Sequence, residues 1–197
     1  MKPKRLAHCL GVADTARALA CRHGVDPVQA ELAGVLHDWD KRYNDEEVYA
    51  RACAMGIELP DADLSCLGPV LHAFTGAVAV RERFPGLPDG ICQAIARHTT
   101  GAPDMAPLDM VLYVADMIEP SRKAHDDIAA LREMALREDV SLEELFFAAY
   151  AATITYLVRC RFTLYPGTLE IYNHYALRYR DALVASGEIW RPGQYKE

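Results

Sequence analysis

Punctuation restricts this chain to helices. Asp26-Pro27 with Gln29, Asn44 with Glu47, and Ser141 with Glu144 each set a capping residue three positions before an acid or amide. That pattern satisfies the free N–H groups of a helix start, and Pro at the first helical position is preset for it. Gly56, Pro85-Gly86, Pro120 and Pro166-Gly167 supply stops. Between these marks no stretch alternates apolar and polar residues as a half-buried strand does.

The punctuation predicts helices over about 5–23, 27–38, 45–55, 69–84, 89–98, 107–119, 124–138, 142–165 and 168–184. Residues 61–68 read as a turn or short helix. In the first helix Leu6, Leu10, Ala13, Ala16 and Ala20 form an apolar stripe, with His8, Val12 and Leu19 on the neighbouring face. No repeat, low-complexity run or long linker divides the chain. The reading is an all-α single domain over 1–185, followed by a surface tail over 186–197.

Composition narrows the function classes. A net charge of −7 opposes a nucleic-acid groove, which needs clustered Lys and Arg. No apolar run approaches a membrane span, and the basic N-terminus leads into His8 and Asp14 rather than a signal peptide. Cys9, Cys21, Cys53, Cys66, Cys92 and Cys160 include no C-x-x-C pair; most sit in apolar stretches and read as buried free thiols of a reducing compartment. The expected location is the cytoplasm.

Chemistry concentrates at a few polar residues in apolar surroundings. The run Leu32-Ala33-Gly34-Val35-Leu36 ends in His37-Asp38. Neighbours on a helix diverge by about 100°, so two adjacent groups can grip one centre only near a helix end. Alone, the dipeptide is an ordinary helix C-terminus, where His is welcome. Asp116 follows Leu108, Met110, Val111, Leu112, Tyr113, Val114 and Ala115. A buried carboxylate must be compensated, either by an Arg or Lys partner or by a metal. Four of the seven histidines, His8, His37, His72 and His98, fall where they could converge with Asp38 and Asp116. Such an all-nitrogen-and-oxygen set favours iron, manganese or magnesium, with zinc allowed. His23 and His125 read as surface residues.

In order, these residues resemble the HD superfamily of metal-dependent phosphohydrolases. Closer still is the YqeK-type subset. The resemblance is carried by His8-x-x-Gly11-Val12, Ala33-Gly34-x-Leu36-His37-Asp38-x-x-Lys41, Leu71-His72-x-x-x-Gly76-Ala77, and Ala94-Ile95-x-x-His98-Thr99-x-Gly101. It continues through Ala115-Asp116-x-Ile118-Glu119-Pro120-x-Arg122 and Tyr165-Pro166-x-Thr168, reaching Tyr172-Asn173. Trp39-Asp40 departs from the aliphatic-small pair expected between His-Asp and Lys.

The resemblance implies an HD-domain helical bundle that hydrolyses diadenosine tetraphosphate symmetrically to two ADP, with iron, or manganese or another divalent ion, as the metal. It implies His8, His37, Asp38 and Asp116 as metal ligands. Asp38, Lys41, His72 and His98 would be catalytic, with His72 and His98 able to hold a second metal. Gly11, Lys41, His72, His98, Thr99, Thr100, Arg122 and Asn173 would surround the nucleotide. The partner expected is a small dinucleoside polyphosphate, with no nucleic acid and no membrane; a homodimer is one assembly it allows. Another HD-type nucleotide phosphohydrolase, or a non-catalytic ADP- or metal-binding sensor, is the alternative.

Overall fold

A computed structural model describes residues 3–123 and 126–186 of the 197. Among the described residues there are nine α-helices and no strand. They are α1 (Pro3–His23), α2 (Pro27–Leu36), α3 (Asp45–Ala54), α4 (Leu64–Arg83) and α5 (Asp89–Arg97), then α6 (Pro107–Ile118), α7 (Asp126–Met134), α8 (Leu142–Arg159) and α9 (Thr168–Ser186).

The first two helices form a tight antiparallel pair. Gly24, at φ +69°, ends α1, and the Val25 N–H donates back to the Ala20 carbonyl at 2.9 Å. Asp26 then caps α2 by accepting from the N–H groups of Val28 and Gln29. Gly34 lets the pair close: a Cβ there would lie 2.6 Å from Ala13 Cα. That contact brings the end of α2 beside α1, and so His37 beside His8.

Helix α6 is the core element. Val111, Leu112, Val114 and Ala115 are all fully buried, with α1, α2, α5, α7 and α8 packed around them. Tyr113, Phe146, Tyr150 and Tyr175 join α6, α8 and α9 through ring contacts of 5.0–5.8 Å. A smaller cluster of Val48, Ala52, Leu67 and Leu71 ties α3 to α4. The buried Asp109 locks α5 onto α6, accepting from Arg97, Gln93 and the Ala106 N–H, each at 2.9 Å. Arg132 of α7 donates to the Ile118 and Glu119 carbonyls, satisfying the last turn of α6.

Several sequence expectations are corrected. Leu6 and Leu10 are 47% and 49% exposed; the buried face of α1 runs through Cys9, Val12, Ala13, Ala16, Leu19 and Ala20 because α2 and α6 pack there. Gln29 gives no reciprocal box at Asp26, since its amide donates to the Asp26 carboxylate instead. Pro69 does not open a helix but sits inside α4, which begins at Leu64. Proline lacks the N–H that would reach Ser65, and the Ser65 carbonyl takes the Thr163 hydroxyl at 3.0 Å. Helix α8 stops at Arg159, not near Tyr165, because Arg161 turns left-handed at φ 57°. The Phe162 N–H then donates to Leu157 and the Arg161 N–H to Val158, closing the end.

Helix α7 ends at Met134, short of 138, and residues 124 and 125, His125 included, lie outside the described residues. The tail expected over 186–197 lies outside them as well, apart from Ser186. Of the six cysteines only Cys9 and Cys92 are buried; Cys21, Cys53 and Cys160 are exposed. His23 is half-buried rather than a surface residue. Helix α4 is long and apolar enough to cross a membrane, by length and composition, which no run was expected to be. Just over half of it is buried in the core between α3 and α5, and it carries His72.

Candidate metal centre

Five helices bring the expected residues to one point. His8 sits on α1, and His37 and Asp38 at the end of α2. His72 comes from α4, His98 from the end of α5, and Asp116 from α6. The four imidazoles form a continuous series: His8 to His37 at 5.2 Å, His37 to His98 at 5.0 Å, and His98 to His72 at 5.2 Å between ring centres. Three overlapping triads have ligand-type atoms within 4.8 Å of one another: His8–His37–Asp38, His37–His98–Asp116 and Asp38–His72–His98.

Position in a helix determines how each ring is held. His37 and His98 are the residues that cap α2 and α5. Each reaches back three residues, His37 Nδ1 to the Gly34 carbonyl at 2.8 Å and His98 Nδ1 to the Ile95 carbonyl at 2.7 Å. A carbonyl only accepts, so Nδ1 carries the proton and a neutral ring turns the Nε2 lone pair inward. His37 Nε2 is buried without a hydrogen-bond partner, 3.6 Å from Asp38 Oδ1 and 3.8 Å from Asp116 Oδ1. A lone pair facing two carboxylate oxygens is unfavourable by itself and becomes favourable around a cation. The donor set therefore fits a divalent metal of borderline-to-hard character.

The surrounding electrostatics agree. Burial, with the neighbouring His37, lowers His98 to about 4, so its ring is neutral near pH 7. Burial, with His98 and Lys41 nearby, holds His72 well below the usual histidine range. The hydrogen bond to Asp116 raises His8 against its burial. Burial alone would raise Asp116, but the His8 hydrogen bond, His37 and Arg122 hold it well below the usual carboxylate range.

The remaining expected residues divide. Lys41, lowered by burial, places Nζ 3.2 Å from His72 Nδ1 and donates to the Pro69 carbonyl at 3.3 Å. Arg122 Nη2 lies 2.5 Å from Asp116 Oδ1, so Asp116 has the arginine partner that sequence reasoning set against a metal, as well as the histidines. Thr99 and Thr100 follow His98 and line a cavity of about 340 Å³ with Pro69, Tyr113, Tyr150 and Tyr165. Thr99 Oγ1 is buried and unpartnered. Gly11 faces Glu119. Asn173 is exposed on α9 and is not among the residues lining that cavity.

Sequence reasoning assigned no role to three groups. Glu119 is buried and lies 3.0 Å from His8 Nδ1. Its signal was its place three residues after Asp116, on the same helix face. Arg5 Nη1 reaches Asp38 Oδ2 at 3.4 Å. Asp40, fully buried, takes the Arg51 Nε–H at 2.7 Å and so fastens the turn after His37-Asp38 to α3. Beside it, Trp39 packs edge-on against Phe84 at 5.6 Å.

Fold and cluster together define an all-helical protein with a histidine–aspartate centre suited to a divalent metal. Residues 5–121 match the HD domain model, and the chain belongs to the HD-domain family. It is 33% identical over 174 residues to a symmetrical bis(5'-nucleosyl)-tetraphosphatase of Halalkalibacterium halodurans, covering 88% of this chain and 89% of that one. It is 34% identical over 170 residues to the protein of the same name from Bacillus subtilis, covering 86% and 88%. A crystal structure from Clostridium acetobutylicum, described as a predicted HD superfamily hydrolase involved in NAD metabolism, superposes with a TM-score of 0.81. It is 30% identical, covering 90% of this chain and 92% of that one.

Proposed function

We propose that this protein is a metal-dependent hydrolase that splits diadenosine tetraphosphate symmetrically into two ADP. The observation that carries the reading is the unpartnered His37 Nε2 enclosed by Asp38, Asp116, His8 and His98. Its support in substrate class comes from relatives of that name along most of the chain. His8, His37, Asp38 and Asp116 are the proposed ligands, with iron or manganese preferred by the donor set. When bound, the metal supplies Lewis acidity toward water and a phosphoryl oxygen.

The chain's own groups do the rest. Asp38 faces both His37 and His72, at 3.6 Å and 3.4 Å, and is placed to orient the attacking water. Lys41 and Arg122 offset charge developing on the phosphates, Lys41 as a point charge and Arg122 as a planar fork. His72 and His98 face the phosphates; with Lys41 Nζ already against His72, a second metal there would require that ammonium to withdraw. Thr99 and Thr100 lead from His98 into the aromatic cavity, which offers one nucleoside an apolar wall with hydroxyl groups. Gly11 and Asn173 complete the proposed nucleotide surroundings.

The proposed substrate is a small dinucleoside polyphosphate, with no role for nucleic acid or membrane, in the cytoplasm. The activity is proposed for a domain spanning 1–185, with a homodimer as its candidate assembly.

Chromatography of the products tests the reading. ADP as sole product supports it. A mixture of AMP and ATP would overturn symmetrical cleavage. Failure to turn over with iron, manganese, cobalt or magnesium would favour another nucleotide substrate or the sensor alternative.

A further inference from the structure

We propose that Glu119 is the positioning carboxylate of His8, and that Gly11 is the notch in α1 that admits it. The inference rests on the metal reading above and extends it to the groups that hold His8 from behind.

His8 stands between two carboxylates. Its Nε2 lies 3.1 Å from Asp116 Oδ1 and its Nδ1 lies 3.0 Å from Glu119 Oε1. A ligating imidazole gives one nitrogen to the metal and donates a proton from the other, and an acceptor for that proton fixes the ring. His37 and His98 find theirs in a carbonyl three residues back, because each stands at a helix end. His8 stands inside α1, where backbone carbonyls are committed to the helix. Its acceptor has to come from another element, and α6 provides Glu119.

The carboxylate is itself held. Glu119 Oε1 also accepts from the Ser121 hydroxyl at 2.6 Å, and Oε2 accepts from the Ser121 N–H at 2.7 Å. Arg132 fixes the backbone on either side through the Ile118 and Glu119 carbonyls. On the α1 side, a Cβ at residue 11 would lie 2.7 Å from Glu119 Oε2. Glycine inside a helix is otherwise unfavourable. Here it leaves room for the acid that orients a ring one turn away.

Cobalt(II) titration with a competing chelator, read by visible absorbance, tests the assignment in full-length wild type, Glu119→Gln, Gly11→Ala and His37→Ala. Melting of each metal-free protein is the control. Glu119→Gln keeps the shape but turns an amide N–H toward either His8 or Ser121. Gly11→Ala displaces the carboxylate while improving α1 as a helix. Both should weaken cobalt affinity by about 10–100-fold and shift its absorption bands. The metal-free Gly11→Ala protein should still fold and melt cooperatively, the gain in helix propensity offsetting part of the cost of the displaced acid. Wild-type affinity and spectrum in both variants would overturn the positioning role and leave the metal reading standing. Wild-type affinity in His37→Ala as well would overturn both. Should Glu119→Gln fail to fold, Gly11→Ala decides alone: a weakened, shifted cobalt site supports the notch, and an unchanged one overturns it.

Discussion

Gly34 of α2 lies so close to Ala13 of α1 that a Cβ would meet backbone atoms at 2.6 and 2.7 Å. The obstruction is main chain rather than a flexible side chain, so relief requires the two helices to move apart. Gly34→Ala should therefore destabilise the fold by about 1–3 kcal/mol. It should weaken metal binding too, because His8 and His37 ride on those helices. Urea denaturation of the metal-free protein reads the first effect and chelator competition the second. Unchanged values for both would contradict the packing argument.

Asp116→Ala removes the carboxylate that faces His8, His37 and Arg122. Elemental analysis after purification should find metal in the wild type and little in the variant. Equal metal content in the two proteins would remove Asp116 from the ligand set.

Arg51→Ala leaves Asp40 buried without its cationic partner. Removing one member of a buried pair costs about 3–5 kcal/mol, and the 30% exposure of Arg51 places this case toward the lower end. Chemical denaturation should show the loss. Asp40→Asn, which keeps the shape and drops the charge, should restore part of it in the Arg51→Ala background.

His72→Ala and His98→Ala should fold and yet lose turnover, by about 100-fold each. The test is steady-state kinetics beside a thermal melt. A melt lowered by several degrees with the rate preserved would assign the ring to packing.

How far the sequence could be read depended on the distance between partners. His37 and Asp38 announce themselves by adjacency, and Asp116 by its apolar neighbours. Capping at Asn44 and Ser141 is local chemistry, and both boxes form as expected. Glu119 escaped because the ring it holds is 111 residues away. The pairing of Arg122 with Asp116 escaped too, because nothing local shows that the guanidinium turns back. Pro69 was misread for the same reason: the hydroxyl that takes over its helix acceptor belongs to Thr163, 98 residues downstream of Ser65.

That last pairing sets local regularity against long-range attachment. With proline at 69 the Ser65 carbonyl receives no helix N–H and accepts from Thr163 instead, and the Cys66 thiol donates beside it to the Leu164 carbonyl. These two bonds moor the segment that carries Tyr165 over the cavity. An alanine at 69 would make α4 a more regular helix and give it an N–H competing for the mooring point. Improving the helix would thus loosen the wall of the cavity, and a substitution chosen for stability would be felt in how firmly the proposed nucleoside pocket is enclosed.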